Sequence, residues 1–245
     1  MTQIASPHNP RLKAVRRLQN KRERERSGRF LAEGEDLIAA ALMAKWPVVE
    51  GYRVAGSGLG GPDFTDVEEP ALAAVSALGS GTRVIGVYEQ RWATAPAGPL
   101  CVYLHGVGDP GNIGAVLRSA QAFGASSVVL GPDCADPYSP KAVRASMGAI
   151  FGVAVARVES ITELPGERVA LVAHAGEPLQ GLSGPVTLVV GAEREGLPPD
   201  VVTACERVAH IPIEAESLNA AMAATVALYE MTRRGGRDHD TVTPA

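Results

Sequence analysis

From Leu100 onward the chain repeats one pattern: a short apolar run, a glycine-rich loop, then a helical stretch. Residues 101–105 predict a strand, 106–111 a loop, 112–123 a helix and 127–131 a second strand. Residues 136–147 read as a helix ending near Gly148, and 198–205 as another with proline near its start. The runs 150–158, 169–173, 186–190 and 208–213 supply further strands, and Pro212 confines the last to an edge or a strand end. Strands separated by helices need crossover connections, so they pair in parallel and are covered on both faces. This region is therefore α/β. After the last strand comes a polar turn, 214–216, and then Ser217, a good N-cap for a closing helix of Ala, Leu and Met. Leu218, Met222, Thr225 and Tyr229 recur in it at helical spacing, and Gly235-Gly236 stop it after Arg233 and Arg234.

The first 93 residues form a smaller alternating unit. Asn9 and Pro10 read as the cap and first position of a helix running to about Arg26. A short strand at 29–34 follows, then an amphipathic helix at 35–45 with Leu37, Ile38, Ala41 and Leu42 inward. A strand at 48–54, a Gly/Ser-rich loop at 56–61, a helix at 69–78 and a strand at 82–88 complete it. Residues 94–99, small side chains and two prolines between apolar runs, read as a linker. The division is thus 1–93, a linker at 94–99, an α/β domain at 100–234, and a polar tail at 235–245 that reads as disordered.

The net charge of −4 is unevenly placed. Residues 1–30 carry nine basic side chains against two acidic ones, a net of +7, which leaves the remainder at −11. A basic arm on an acidic body is the footprint of one element addressing phosphates. Arg11, Lys13 and Arg17 precede the alternating Lys-Arg-Glu-Arg-Glu-Arg run and are not neutralised locally, so they are the candidate phosphate contacts. Cys101, Cys134 and Cys205 have no metal-ligand spacing and read as buried free thiols in a reducing compartment. The histidines are scattered, which argues against a metal site. No apolar signal core opens the chain and no stretch approaches a membrane span, so a cytoplasmic protein is expected.

Three stretches carry the chemistry. The first is Asp109-Pro-Gly-Asn-Ile-Gly-Ala-Val-Leu-Arg118, continuing to Phe123-Gly124-Ala125; the second is Leu188-Val-Val-Gly-Ala-Glu-Arg-Glu-Gly-Leu-Pro198; the third runs from Ile211-Pro-Ile213 to Ser217-Leu-Asn219. Their order and spacing closely resemble the three motifs of the SpoU/TrmH family of RNA ribose 2′-O-methyltransferases, approximately N-x-G-A-x-x-R, G-x-E-x-x-G-L and I-P-M…S-L-N. Ile213 stands where Met is usual. The N-terminal Asn-Pro-Arg-Leu-Lys and later Phe-Leu-Ala-Glu-Gly are similar to the ribosomal-protein-like RNA-binding domain that many rRNA-directed members place first.

The resemblance implies a trefoil knot in the α/β domain, S-adenosylmethionine as cofactor, and a homodimer with active sites built across two knotted domains. It implies an RNA substrate, ribosomal rather than transfer RNA because of the added N-terminal unit. Gly191 would let backbone approach the cofactor without a Cβ in the way, Ile211 and Leu218 would form apolar walls, and Ser217 and Asn219 would supply hydrogen bonds. Glu193 would orient Asn112, which by position alone is an ordinary helix-start residue. Arg118 lies six residues beyond Asn112 and off its stripe. The family's arginine there is often proposed as the general base. A guanidinium rarely gives up its proton, so binding the phosphate beside the target ribose is the preferred role. Lys141 and Arg144 resemble a further RNA-contacting helix. A non-catalytic RNA-binding protein retaining the fold is the alternative, but Asn112, Arg118 and Asn219 are all present. A generic nucleotide-binding enzyme would want a phosphate loop that residues 106–111 do not provide.

Overall fold

Asn9 and Pro10 start the first helix as their residue types predict. In the computed structural model, which describes residues 3–77 and 81–233, Asn9 accepts from the Arg11 amide and caps α1 (Pro10–Arg17). The single helix expected to about Arg26 is instead two. The second, α2 (Lys21–Ser27), restarts under its own cap, Asn20. Arg24 is the cause: its guanidinium donates to the Leu18 and Gln19 carbonyls at 2.9 and 2.8 Å. A side chain thus closes the end of α1 in place of further helical amides.

Strand β1 (Arg29–Glu33), α3 (Glu35–Met43), β2 (Glu50–Val54), β3 (Phe64–Val67), α4 (Glu69–Ala73) and β4 (Val84–Glu89) follow. They form a four-stranded sheet of order β1-β4-β2-β3, in which β4 is antiparallel to both neighbours and β2 is parallel to β3. Leu37, Ile38 and Ala41 point into the core as expected, whereas Leu42 is 56% exposed. The expected helix at 69–78 closes after Ala73, and residue 78 lies outside the described residues.

The second sheet takes β5 (Leu100–Leu104), β6 (Ser127–Leu130), β7 (Ala154–Arg157), β8 (Glu167–Leu171), β9 (Glu177–Pro178), β10 (Val186–Val190) and β11 (Arg207–His210). Their order is β7-β6-β5-β10-β8-β11-β9, and every pairing is parallel, as the alternation predicts. Central β10 is buried at all five positions and lies between β5 and β8, both earlier in the chain. Helices α5 (Pro110–Ala122), α6 (Pro140–Ala145), α7 (Pro199–Thr203) and α8 (Ala220–Arg233) complete the domain.

Several boundaries shift from the sequence reading, β11 ending at His210 rather than 213 and α5 starting at Pro110 rather than 112 among them, and three have a local cause. The helix expected from 136 begins at Pro140 under a Ser139 cap, because Asp136 turns away to pair with Arg24. The strand expected from 150 is a 3-10 turn at Ala149–Phe151 followed by β7. The cap of α8 is Asn219, not Ser217: its Oδ1 accepts from the Ala221 and Met222 amides at 3.0 and 3.3 Å. The buried stripe of α8 is largely alanine, Ala220, Ala221, Ala224 and Ala227 with Leu228 and Met231, while Met222 and Tyr229 are 58% and 51% exposed. The expected glycine stop at Gly235-Gly236 and the tail at 235–245 lie outside the described residues.

Aromatic side chains join the two sheets. Of the chain's eleven Phe, Trp and Tyr residues, six form one cluster at this junction: Phe30, Trp46, Tyr88, Trp92, Tyr138 and Phe151. Phe30 of β1 lies 4.8 Å from Tyr138, and Tyr88 of β4 lies 5.1 Å from Phe151, ring centre to ring centre. Beside them Arg24, its side chain 4% exposed, reaches Asp136 through Nη2 and Nε at 2.7 and 2.8 Å. The three cysteines are free, and burial raises each thiol, Cys205 to about 11. Among the described residues no helix is long and apolar enough to cross a membrane.

Candidate active site

Three adjacent parallel strands, β10, β8 and β11, end at one cavity of about 550 Å³. Its lining comes from the loops that follow them, residues 172–173, 191–197 and 211–218, where α/β sheets place their ligands. Leu171, Val190, Ile211, Ile213 and Leu218 give it apolar walls, and Glu193, Glu195 and Glu216 outnumber Arg194 on its polar side. Gly191, Glu193, Ile211, Ser217 and Leu218 all line it, and Asn219 does not.

The fold gives the glycine at 191 a packing role of its own. A Cβ there would sit 2.3 Å from the Gly196 carbonyl carbon. The bare Cα lets the 191–197 loop fold back on itself, where Ala192 and Gly196 pair in a two-residue bridge. The glycine thereby shapes the wall of the cavity it lines.

Beside the cavity a polar chain joins all three sequence motifs. Asn112 Nδ2 donates to Glu193 Oε1 and Asn219 Nδ2 donates to Asn112 Oδ1, the latter at 3.1 Å. Each orientation forces the next. Helix capping commits Asn219 Oδ1 to backbone amides, which leaves its Nδ2 to face Asn112. Asn112 must then present Oδ1 to Asn219 and Nδ2 to the carboxylate.

Asn112 is free to do this because another residue caps its helix. Asp109 accepts from the Gly111 and Asn112 amides and pairs with Lys141 Nζ at 2.7 Å. The Lys141 ammonium, helped by those amides, holds its carboxyl below the usual range. Asp109 went unrecognised in the sequence, although Asp109-Pro110 repeats the cap-then-proline signature read correctly at Asn9-Pro10. Gly114 completes the arrangement. A Cβ there would meet the Ala142 carbonyl oxygen at 2.3 Å, so its absence lets α6 close on α5 and bring Lys141 to Asp109.

Arg118 is not brought into the cavity. It stands exposed on α5, about 9 Å of helix beyond Asn112, and among the described residues it has no ion-pair partner. Arg144 is likewise exposed, in the last turn of α6. On α1, Lys13 and Arg17 are exposed, while Arg11 lies 3.4 Å from Glu50 and over the Tyr52 ring. Among the described residues no group of three or more His, Cys, Asp or Glu side chains is placed to hold a metal ion.

A parallel α/β sheet with a loop-lined cavity beside an oriented Asn–carboxylate pair defines an α/β enzyme with a small-molecule cofactor pocket. Residues 99–229 match the model of the SpoU rRNA Methylase family, and residues 9–90 match an MRM3-like substrate binding domain. The chain belongs to the SpoU rRNA Methylase family. It is 31% identical to the 23S rRNA (guanosine(2553)-2′-O)-methyltransferase RlmP of Bacillus subtilis, over 94% of this chain and 99% of that one. An AdoMet-bound rRNA methyltransferase from Sinorhizobium meliloti superposes with a TM-score of 0.82 at 30% identity, covering 95% of this chain and 97% of the other. The SpoU methyltransferase AviRb from Streptomyces viridochromogenes, in complex with AdoMet, also gives 0.82, at 28% identity over 92% and 98%.

Proposed function

We propose that this chain transfers a methyl group from S-adenosylmethionine to a ribose 2′-hydroxyl of ribosomal RNA. The observation that carries this reading is the Glu193–Asn112–Asn219 chain at the edge of the cavity. The cavity suits the cofactor: its volume is that of a cofactor site, its walls are apolar, and its carboxylates outnumber its cations, which favours a sulfonium. When bound, the cofactor supplies an electrophilic methyl group. Gly191, Ile211 and Leu218 would hold it, with Ser217 offering a hydroxyl at the rim.

The chain's own part is orientation. Once Asn112 has used one Nδ2 hydrogen on Glu193 and one Oδ1 lone pair on Asn219, one of each remains to fix the direction of the ribose hydroxyl. Arg118, exposed and without an ion-pair partner among the described residues, binds the phosphate beside the target nucleotide with a planar fork. The proton leaves to that phosphate or to water. Lys141 and Arg144 on α6, and Lys13 and Arg17 on α1, contact the RNA further out, while Arg11 stays with Glu50. The N-terminal unit, residues 1–93, is the substrate-binding part, and the similarity to rRNA enzymes over nearly the whole chain favours ribosomal over transfer RNA.

The active form is a cytoplasmic homodimer of knotted domains. Met222, Val226 and Tyr229 make an exposed apolar strip on α8, the helix that also holds Asn219 at its start. Calorimetry with S-adenosylmethionine, followed by mass-spectrometric mapping of ribose methylation in RNA treated with the protein, tests the reading. A folded dimer that gives no heat of cofactor binding sinks it.

A further inference from the structure

We propose that the groove between α1 and α2 is a docking cleft for the phosphodiester backbone of RNA at a distance from the reacting nucleotide. The inference rests on the RNA-methylating reading above, and names where the rest of that RNA lies.

The break in the helix makes the groove. Where α1 ends and α2 turns back, the two helices line an open concavity of about 920 Å³. Lys13, Arg16 and Arg17 face it from α1, and Arg22 and Arg26 face it from α2. These are five exposed cations around a single carboxylate, Glu23, which Arg26 engages through a hydrogen bond and holds below the usual carboxylate range. Lys13, Arg16, Arg17 and Arg22 have no ion-pair partner among the described residues.

The other basic residues of the same segment are committed elsewhere. Arg24 is buried against Asp136, Arg11 lies against Glu50, and Lys21 pairs with Glu25 along the helix. Residues 10–27 carry eight basic side chains; the fold sorts them, turning inward or pairing the three outside the groove and leaving five as a concentrated cationic wall within it. Like charges crowded this closely cost free energy in the free protein. A polyanion with regularly spaced charges relieves that repulsion and releases its counterions.

The groove is also held in register with the cofactor cavity. Arg24 fixes the Leu18–Gln19 turn at its floor and, through the same guanidinium, grips Asp136 of the α/β domain. RNA lying in the groove is therefore placed at a set offset from Asn112.

Binding of ribosomal RNA without cofactor, measured across a salt series, tests the proposal. For the Arg16→Ala, Arg17→Ala, Arg22→Ala triple variant, the slope of log affinity against log salt should become shallower by about 2, at about 0.7 per lost single-strand phosphate contact. Cofactor heat should be unchanged, which shows the fold intact. Arg83→Ala, which removes an exposed arginine paired with Glu35 outside the groove, should leave the slope as it was. Arg22→Glu alone should weaken binding further than Arg22→Ala. An unchanged slope in the triple variant overturns the proposal, as does competition by polyglutamate equal to that by RNA. Because the readout is binding, the groove stands or falls separately from methyl transfer. RNA that is bound but not methylated would count against the catalytic reading alone.

Discussion

Asn219 donates from Nδ2 to Asn112 Oδ1 at 3.1 Å, while its own Oδ1 caps the helix that begins at the next residue. One side chain thus does two separable things. Helices α5 and α8 run side by side in the same direction, as Ser119–Thr225 at 2.6 Å and Phe123–Tyr229 at 6.1 Å between ring centres also show. The motif asparagines meet because both sit at helix starts on one side of the sheet.

Substituting Asn219→Ser separates the two roles. Serine caps nearly as well as asparagine, so thermal stability should stay within about 1 kcal/mol of wild type. It cannot donate an amide hydrogen to Asn112, and a reacting group left free to swing costs roughly 100-fold in rate. Single-turnover methylation beside a melting curve checks this. A variant with wild-type rate would show that Asn219 serves only the helix.

Arg118→Lys keeps the charge and loses the fork. Methylation should fall while the heat of cofactor binding persists. If the arginine positions a phosphate, raising the pH does not repair the loss, because alignment and not basicity is missing. Recovery of the Lys variant to near the wild-type rate at alkaline pH would return Arg118 to a general-base role.

Asp136→Ala strands the Arg24 guanidinium in a buried site, where the two side chains are 4% and 11% exposed. Removing one partner of a buried pair costs about 3–5 kcal/mol. Glu25→Ala, which breaks the exposed pair with Lys21, should cost less than about 0.5 kcal/mol. Urea unfolding of both variants decides whether the junction is held as the geometry indicates; equal midpoints would mean that the aromatic cluster alone holds it.

Arg168 on β8 engages Glu206, just before β11, through a hydrogen-bonded ion pair that lowers the Glu206 carboxyl from 4.5 to about 2. A depressed carboxyl contributes stability that is complete above its unfolded value and is lost as pH falls toward the folded one. The wild-type urea midpoint should therefore decline between about pH 4.5 and pH 2 more steeply than that of Glu206→Gln. Parallel profiles would show that the pair does not contribute.

The parallel sheet was legible because most of its strands are short apolar runs of the right length, separated by glycine-rich loops and helical stretches. Strand β9 was not legible: it is two residues long, one of them proline, and exists only by pairing with β11. Strand β3 follows Gly60-Gly61-Pro62-Asp63, which locally reads as loop, and is strand because β2 pairs with it on one side and Ile4 bridges to Val67. The break between α1 and α2 depends on Arg24 reaching back to two carbonyls while anchored 112 residues further on; Asn20, a favoured N-cap type, was its one local signal and was passed over. Within the site, single residues carried little. Asn112, Glu193 and Asn219 are 81 and 107 residues apart, and only their family pattern linked them. Ser217 was read as the cap because serine is a common one; Asn219, two positions on, takes that place and is thereby aimed at Asn112.

Strand β10 sits between β5 and β8, which are both made before it. During synthesis the centre of the sheet is therefore a vacancy until residues 186–190 have emerged, and pairing across such a separation forms slowly. The helices of the groove are made by Ser27 and their anchor, Asp136, follows, whereas every wall of the cavity comes from Leu171 or later. The order of manufacture thus puts the surface proposed to hold RNA, with its anchor, ahead of the cavity in which the reaction would take place.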